Sequence, residues 1–283
     1  MKIGVGIPNS IPAADASLLV EWARRAEELG FASLSTIGRV VYPTYEELIL
    51  LTAAAMTTER VELVTGVLLG PTREPLLLAK QAASLDRISR GRLVLGVSAG
   101  SRQDDFEVTG MGFNDRGRRW DHDLELLHQA WRGQPPDGTE KPVCPLPYNG
   151  ERVRVLIGGQ SDAAVRRAVQ WGIGWMAGGG GPDLAAGMFE KVRGAWTAAG
   201  RPGTPDLRAL NYFALGPSAE TGEAYLRDYY GPFADYIWPS TPRDDGAVRD
   251  LVRRFEDVRT DQLLFSPVIA SLDQLDRLAQ VVL

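Results

Sequence analysis

The 283-residue chain is short of the residues that several common chemistries require. It has one cysteine, Cys144, so no internal disulfide framework can form, and a reducing cytoplasm is the expected setting. It has two histidines, His122 and His128, six residues apart in one predicted helix. That spacing misses the i, i+4 pair of helical zinc sites and no Cys or His cluster accompanies it, so no metal is expected. Both histidines read as partly exposed helix residues. Their position also removes any credible Ser/His/Asp arrangement, and no G-x-S-x-G elbow, Walker loop or strand–G-x-G-x-x-G–helix unit is present. The longest apolar stretch, Leu48–Met56, is too short to span a bilayer, and Met1–Val5 runs straight into a strand with no signal peptide ahead of it. Net charge is −5 without long runs of one sign, so the basic face of a nucleic-acid binder is missing.

What is present is a core-forming chain, 44% hydrophobic and 24% charged, in which short apolar runs alternate with amphipathic helices. The predicted strands are Ile3–Ile7, Phe31–Ile37, Val61–Leu69, Arg92–Val97, Val153–Ile157, Gly174–Ala177, Leu207–Leu215 and Gln262–Ser266. The predicted helices are Asp15–Leu29, Tyr45–Thr58, Glu74–Arg90, Arg116–Trp131, Asp162–Trp171, Leu184–Ala199, Glu220–Tyr230, Ala247–Val258 and Leu272–Val282. Thr44 and Glu47 have the spacing of a capping box ahead of the second helix. Gly133–Gly150 and Phe233–Asp245 read as irregular excursions. Strands apolar on both faces, such as Leu93–Val97, suit a parallel sheet covered by helices. The expected fold is therefore α/β, a single (β/α)8 TIM barrel over residues 1–283 with irregular insertions; an open doubly wound sheet is the alternative.

In such a barrel the ligand lies where strands lead into helices. Gly158-Gly159-Gln160-Ser161 and Ala177-Gly178-Gly179 each follow a strand and open a helix, as a phosphate requires, although tight turns alone also explain them. Loops 101–115 and 233–245 carry Phe106, Phe113, Phe233, Tyr236 and Trp238, which line an apolar pocket or simply pack over the barrel mouth. Asp104 and Asp105 read as the polar start of a loop or helical turn.

Several segments resemble bacterial luciferase-like oxidoreductases. They are Gly66-Val67-Leu68-Leu69, Arg73-Glu74-Pro75, Leu78–Asp86, Ser89–Val97, Val155–Ser161, Gly172–Ala177, Asp261–Phe265 and Asp273-Gln274-Leu275. The resemblance covers nearly the whole chain. It implies a barrel whose strand ends bind FMN or the deazaflavin coenzyme F-420, with a non-proline cis peptide at Gly66-Val67 against which the ring rests. The cofactor candidates that follow are Thr65, Gly66, Val67, Ser98, Ala99, Gly100, Gly158, Gly159, Gln160, Ser161, Ala177, Gly178 and Gly179. It also implies a homodimer through the helices 45–58 and 74–90.

The chain departs from the family where members often carry an acidic residue and a histidine after the second strand; here stand Gly38 and Arg39. The glutamate that related sugar-phosphate dehydrogenases carry after the fourth strand is replaced near Ser101. Arg39, Tyr42 and Arg102 are the candidates to replace these groups as substrate or anion contacts, and each could equally be a surface or ion-pair residue. The leading expectation is a reduced-FMN-dependent monooxygenase acting on a small organic substrate and supplied by a separate reductase. Hydride transfer with the deazaflavin is the alternative, and a non-catalytic flavin-binding barrel a third reading.

Overall fold

The computed structural model describes residues 1–150 and 152–283. Its strands are β1 (Lys2–Gly6), β2 (Ser33–Thr36), β3 (Glu62–Thr65), β4 (Leu68–Leu69), β5 (Leu93–Ser98), β6 (Arg154–Gly158), β7 (Gly174–Ala177), β8 (Asp206–Phe213) and β9 (Gln262–Pro267). All pair in parallel, in the order β3-β2-β1-β9-β8-β7-β6-β5-β4, and a β3–β5 pairing closes the ring. Because β3 and β4 are two halves of one interrupted strand, the result is the expected eight-stranded (β/α)8 barrel.

The helices are α1 (Ala16–Leu29), α2 (Glu47–Thr57), α3 (Pro75–Ile88), α4 (Gln103–Glu107), α5 (Arg116–Trp131), α6 (Asp162–Trp171), α7 (Pro182–Ala198), α8 (Gly222–Tyr230), α9 (Ala234–Ile237), α10 (Asp245–Asp257) and α11 (Leu272–Val282). Local chemistry starts and stops them. Asp15 accepts from the Leu18 amide at the head of α1, and Gly30, at φ 101°, ends it. No helix among the described residues is long and apolar enough to cross a membrane.

Strand periodicity sorts side chains to two cores. Val64, Val94, Leu156, Met176, Leu210 and Leu264 pack together inside the barrel. Their chain neighbours Leu63, Leu93, Leu95, Val155, Ile157, Leu263 and Phe265 belong to the larger core between sheet and helices. Below the interior layer Glu62 pairs with Arg154 at 2.6 Å and with buried Arg208 at 2.9 Å, and Arg208 also holds Asp206 at 2.7 Å. Burial opposes ionisation of Glu62, but the two arginines outweigh it and hold its pKa below the usual value.

The third strand is the one that breaks. Val64 lies opposite Val94 and Leu68 opposite Val97, so four steps along β3–β4 match three along β5. The extra residue makes a bulge, and Gly66-Val67, joined by a cis peptide bond, lie in it. Thr65 Oγ1 donates to the Gly96 carbonyl at 2.7 Å, and a Cβ on Gly96 would stand 2.0 Å from the Thr65 carbonyl oxygen, so only glycine permits this approach.

Four local expectations are corrected. The Thr44/Glu47 capping box does not form: Glu46 caps α2 by accepting from the Ile49 amide, while Thr44 donates to the Arg39 carbonyl. Glu47 is instead buried on Arg73 at 3.0 Å. Residues 103–107 of the long fourth loop form a helix, and 233–245 contains short helical turns. His128 is not partly exposed; it is buried, stacked on Trp171 with ring centroids 4.9 Å apart and edge-on to Trp131.

Burial, with Arg132 and Arg152 nearby, lowers the His128 pKa from 6.5 to about 4. A group whose folded pKa is depressed contributes stability above its unfolded pKa and loses it as pH falls toward the folded value. The protein should therefore lose about 3 kcal/mol between pH 6.5 and 4 through this residue alone. Urea midpoints of wild type and His128→Phe across that interval check it: the variant should lack this component of the slope, and parallel curves would refute the assignment.

Candidate active site

A cavity of about 500 Å³ opens where the strands end. It is lined by Gly66 and Val67 from the bulge, Ser98–Arg102 after β5, Gly158–Ser161 after β6 and Ala177-Gly178 after β7. The bulge and both glycine turns thus share one rim and one chamber. A Cβ on Gly158 would press at 3.3 Å on both methyls of Val67, so glycine there lets the β6 turn close onto the bulge. Gly159, at φ 110°, turns the chain toward α6, where Ser161 caps the helix by accepting from the Ala164 amide. Trp175 Nε1 donates to the Gly159 carbonyl at 2.8 Å and holds this turn from behind. Nothing lies within 4 Å of the position a Gly178 Cβ would take, so that turn faces open space.

Two expected contacts lie outside the lining. Thr65 is fully buried, its hydroxyl committed to Gly96, and it supports the bulge from behind. Gly179 packs toward Tyr212 and Ile237. Of the replacement candidates, Arg39 and Arg102 line the cavity and Tyr42 does not. Arg39 pairs with Asp104 at 2.5 Å and Asp105 at 3.5 Å. Asp105 also accepts from the Val40 and Val41 amides at 2.8 Å each, so this ion pair clamps the loop after β2 onto α4. Tyr42 donates to Asp228 and meets Tyr229 edge-on. Arg102 stands over the Tyr229 and Tyr230 rings at 5.3 and 5.5 Å.

None of the aromatic loop residues lines the cavity, and the buried ones follow the packing alternative. Phe106 is buried and packs edge-on to Phe113, Trp238 packs toward the inner core, and Phe233 and Tyr236 point to solvent. The aromatic lining comes from Trp120, Trp175, Tyr229 and Tyr230. Burial pushes the Tyr229 phenol well above its ordinary pKa and raises that of Tyr230, so both stay protonated near neutral pH and can donate hydrogen bonds.

Sequence reasoning missed Arg116 and Arg167, which bring two further cations to the lining. Arg116 donates to the Gly100 and Phe113 carbonyls at 2.9 Å each, and its guanidinium lies 3.9 Å from the Phe113 ring centre. Buried Arg167 holds Asp121 at 2.6 Å and the Gly117 carbonyl at 2.7 Å. A signal for Arg116 existed: a cation at the first position of a helix opposes the macrodipole and needs another reason to be there. Arg167 falls on the same helix face as Ala164 and Ala168, where a charge is out of place unless paired.

Comparison with known proteins places this geometry. An uncharacterized protein of Mycobacterium tuberculosis (strain ATCC 25618 / H37Rv) is 28% identical over 226 residues, 70% of this chain and 77% of its own. Two solved structures share the fold. An F420-dependent secondary alcohol dehydrogenase in complex with an F420-acetone adduct superposes with a TM-score of 0.80 at 16% identity, covering 99% of this chain and 98% of its own. The oxygenating constituent of 3,6-diketocamphane monooxygenase from Pseudomonas putida, in complex with FMN, gives 0.74 at 17% identity over 99% and 95%. The family model described as luciferase-like monooxygenase matches residues 1–263, so the chain belongs to that family and is an oxidoreductase.

Proposed function

We propose that the protein is a reduced-FMN-dependent monooxygenase acting on a small organic substrate, with a separate reductase supplying the flavin. One observation carries the reading: the bulge, both glycine turns and Arg116 and Arg167 all open into one chamber. Its size suits a flat ring with an anionic tail. Gly158, Gly159, Ser161 and Gly178 would meet the phosphate with backbone amides and the α6 N-terminus, with Arg116 and Arg167 as counter-charges. Gly66 and Val67 would support the ring, and Ser98, Ala99, Gly100 and Gln160 complete the walls. Reduced FMN, if held there, would supply the activation of oxygen and its transfer to substrate. Ile37, Trp120, Tyr229 and Tyr230 add apolar surface to that chamber and would shield a bound ring from water.

The supply of proton carriers favours oxygen transfer over hydride transfer. A dehydrogenase moves a proton with each hydride and is best served by a group that titrates near neutrality. Among the described lining residues the only carboxylate is Asp105, already engaged by two amides and Arg39, and no histidine is present. The deazaflavin alternative would use the same cradle. We also propose that two copies pair through α2 and α3, where Ile49, Met56, Leu77 and Ile88 are exposed and recur at helical spacing.

Equilibrium titration with FMN and with the deazaflavin coenzyme, each oxidised and reduced, tests the cofactor. Reduced FMN should bind best and turnover should require oxygen; tighter deazaflavin binding, or turnover without oxygen, would overturn the reading. Gly178→Val has room to fold normally, yet should weaken FMN binding by roughly tenfold or more, the equivalent of about 1.4 kcal/mol. An unchanged affinity with an unchanged melting temperature would remove that turn from the site. Light scattering should give twice 30.9 kDa for the native chain and a single-chain mass for the double substitution Ile49→Glu, Met56→Glu.

A further inference from the structure

We propose that Arg102 selects the substrate, and that the substrate is a small organic acid whose carboxylate it binds over the centre of the barrel mouth. The proposal rests on the oxidoreductase site described above. Of the lining arginines, Arg39 is paired with two aspartates, while Arg116 and Arg167 are assigned above to the cofactor's anionic tail, Arg116 anchored on two carbonyls and Arg167 on Asp121. Among the described residues Arg102 has neither an ion pair nor a hydrogen bond. Only the faces of Tyr229 and Tyr230 hold it. Such contacts fix a guanidinium in place while leaving its charge and its five N–H donors free.

Its direction is as informative as its freedom. Arg102 follows β5, whereas Tyr229 and Tyr230 end α8, which follows β8. These strands are three steps apart around the barrel, with β6 and β7 between them, so the side chain spans the mouth of the chamber from one wall to another. Tyr229 adds a second donor. Its hydroxyl has no partner among the described residues, while those of Tyr230 and Tyr42 are bonded to Tyr212 and Asp228. The nearby carboxylates are already committed, Asp228 to Tyr42 and Asp104 and Asp105 to Arg39. A neutral ligand would cover this guanidinium and leave it unpaired, whereas a carboxylate matches its fork.

Calorimetric titration of the full chain with benzoate against benzamide, and butyrate against butyramide, tests the proposal, first without cofactor and then with FMN. Inorganic phosphate serves as the probe for a cofactor tail. In at least one pair the acid should bind about tenfold or more tighter than its amide. Arg102→Met should abolish that preference, Arg102→Lys keep part of it and Tyr229→Phe reduce it several-fold. Amide and FMN affinities and the circular dichroism spectrum should not change. No preference in either pair, or one that survives Arg102→Met, would overturn the proposal. So would loss of phosphate binding in place of acid binding, since Arg102 would then serve the cofactor. If FMN fails to bind while the Arg102-dependent preference persists, the flavin reading falls and this one stands.

Discussion

The close crossing of Thr65 over Gly96 is the contact from which the rest of the site follows. A strand that stayed in register with β5 would bury Gly66 and Val67 in the ladder. Because β5 offers no Cβ at residue 96, the Thr65 carbonyl can move in, its hydroxyl can bond the Gly96 carbonyl, and the next two residues are released from pairing with β5, although the Gly66 amide still donates to the Thr36 carbonyl of β2. The released segment is held on its other side by Gly158, whose missing side chain admits the Val67 methyls. Two glycines on adjacent strands thus convert a regular barrel wall into a ledge beside the Gly158–Ser161 turn, without a charged residue in either position.

Charge is partitioned along the barrel. At the N-terminal end Glu62, Asp206, Arg154 and Arg208 neutralise one another, closing the floor with groups that would be prohibitively costly to bury alone. At the other end compensation is incomplete. Arg39 and Arg167 have carboxylate partners, Arg116 and Arg102 do not. Among the described residues that line the cavity, four arginines stand with one aspartate, although the chain as a whole is acidic.

Most of the fold was legible because strand and helix periods are strong signals: α5, α6, β7 and α11 fall where the apolar spacing puts them. What the pattern could not show was local competition. Thr44 and Glu47 have capping-box spacing, but Arg73 draws Glu47 inward and the helix starts later, on Glu46. The bulge is invisible to periodicity, since Val61–Leu69 reads as one apolar run; only the resemblance pointed to it. His128 looked polar and exposed because the tryptophan that covers it, Trp171, arrives from a different helix. The glycine turns could be read directly, whereas Arg116 and Arg167 stood out only as misplaced charges, because their significance depends on α5 and α6 meeting beside the same turn.

The missing histidine becomes intelligible in this light. After β2 the position next to Gly38 belongs to Arg39, and Arg39 works as a clamp with Asp105 and the Val40 and Val41 amides. A clamp neutralised by its own partners cannot also shuttle protons. The cavity instead presents guanidinium groups and two phenols that burial keeps protonated near neutral pH. Such a lining can orient a ligand and keep water out, but it leaves bond-making to whatever the cradle holds. On the reading proposed above, specificity lies in where such charges stand, and unpaired Arg102, held between α8 and β5, bears on substrate choice more directly than the turns at the rim.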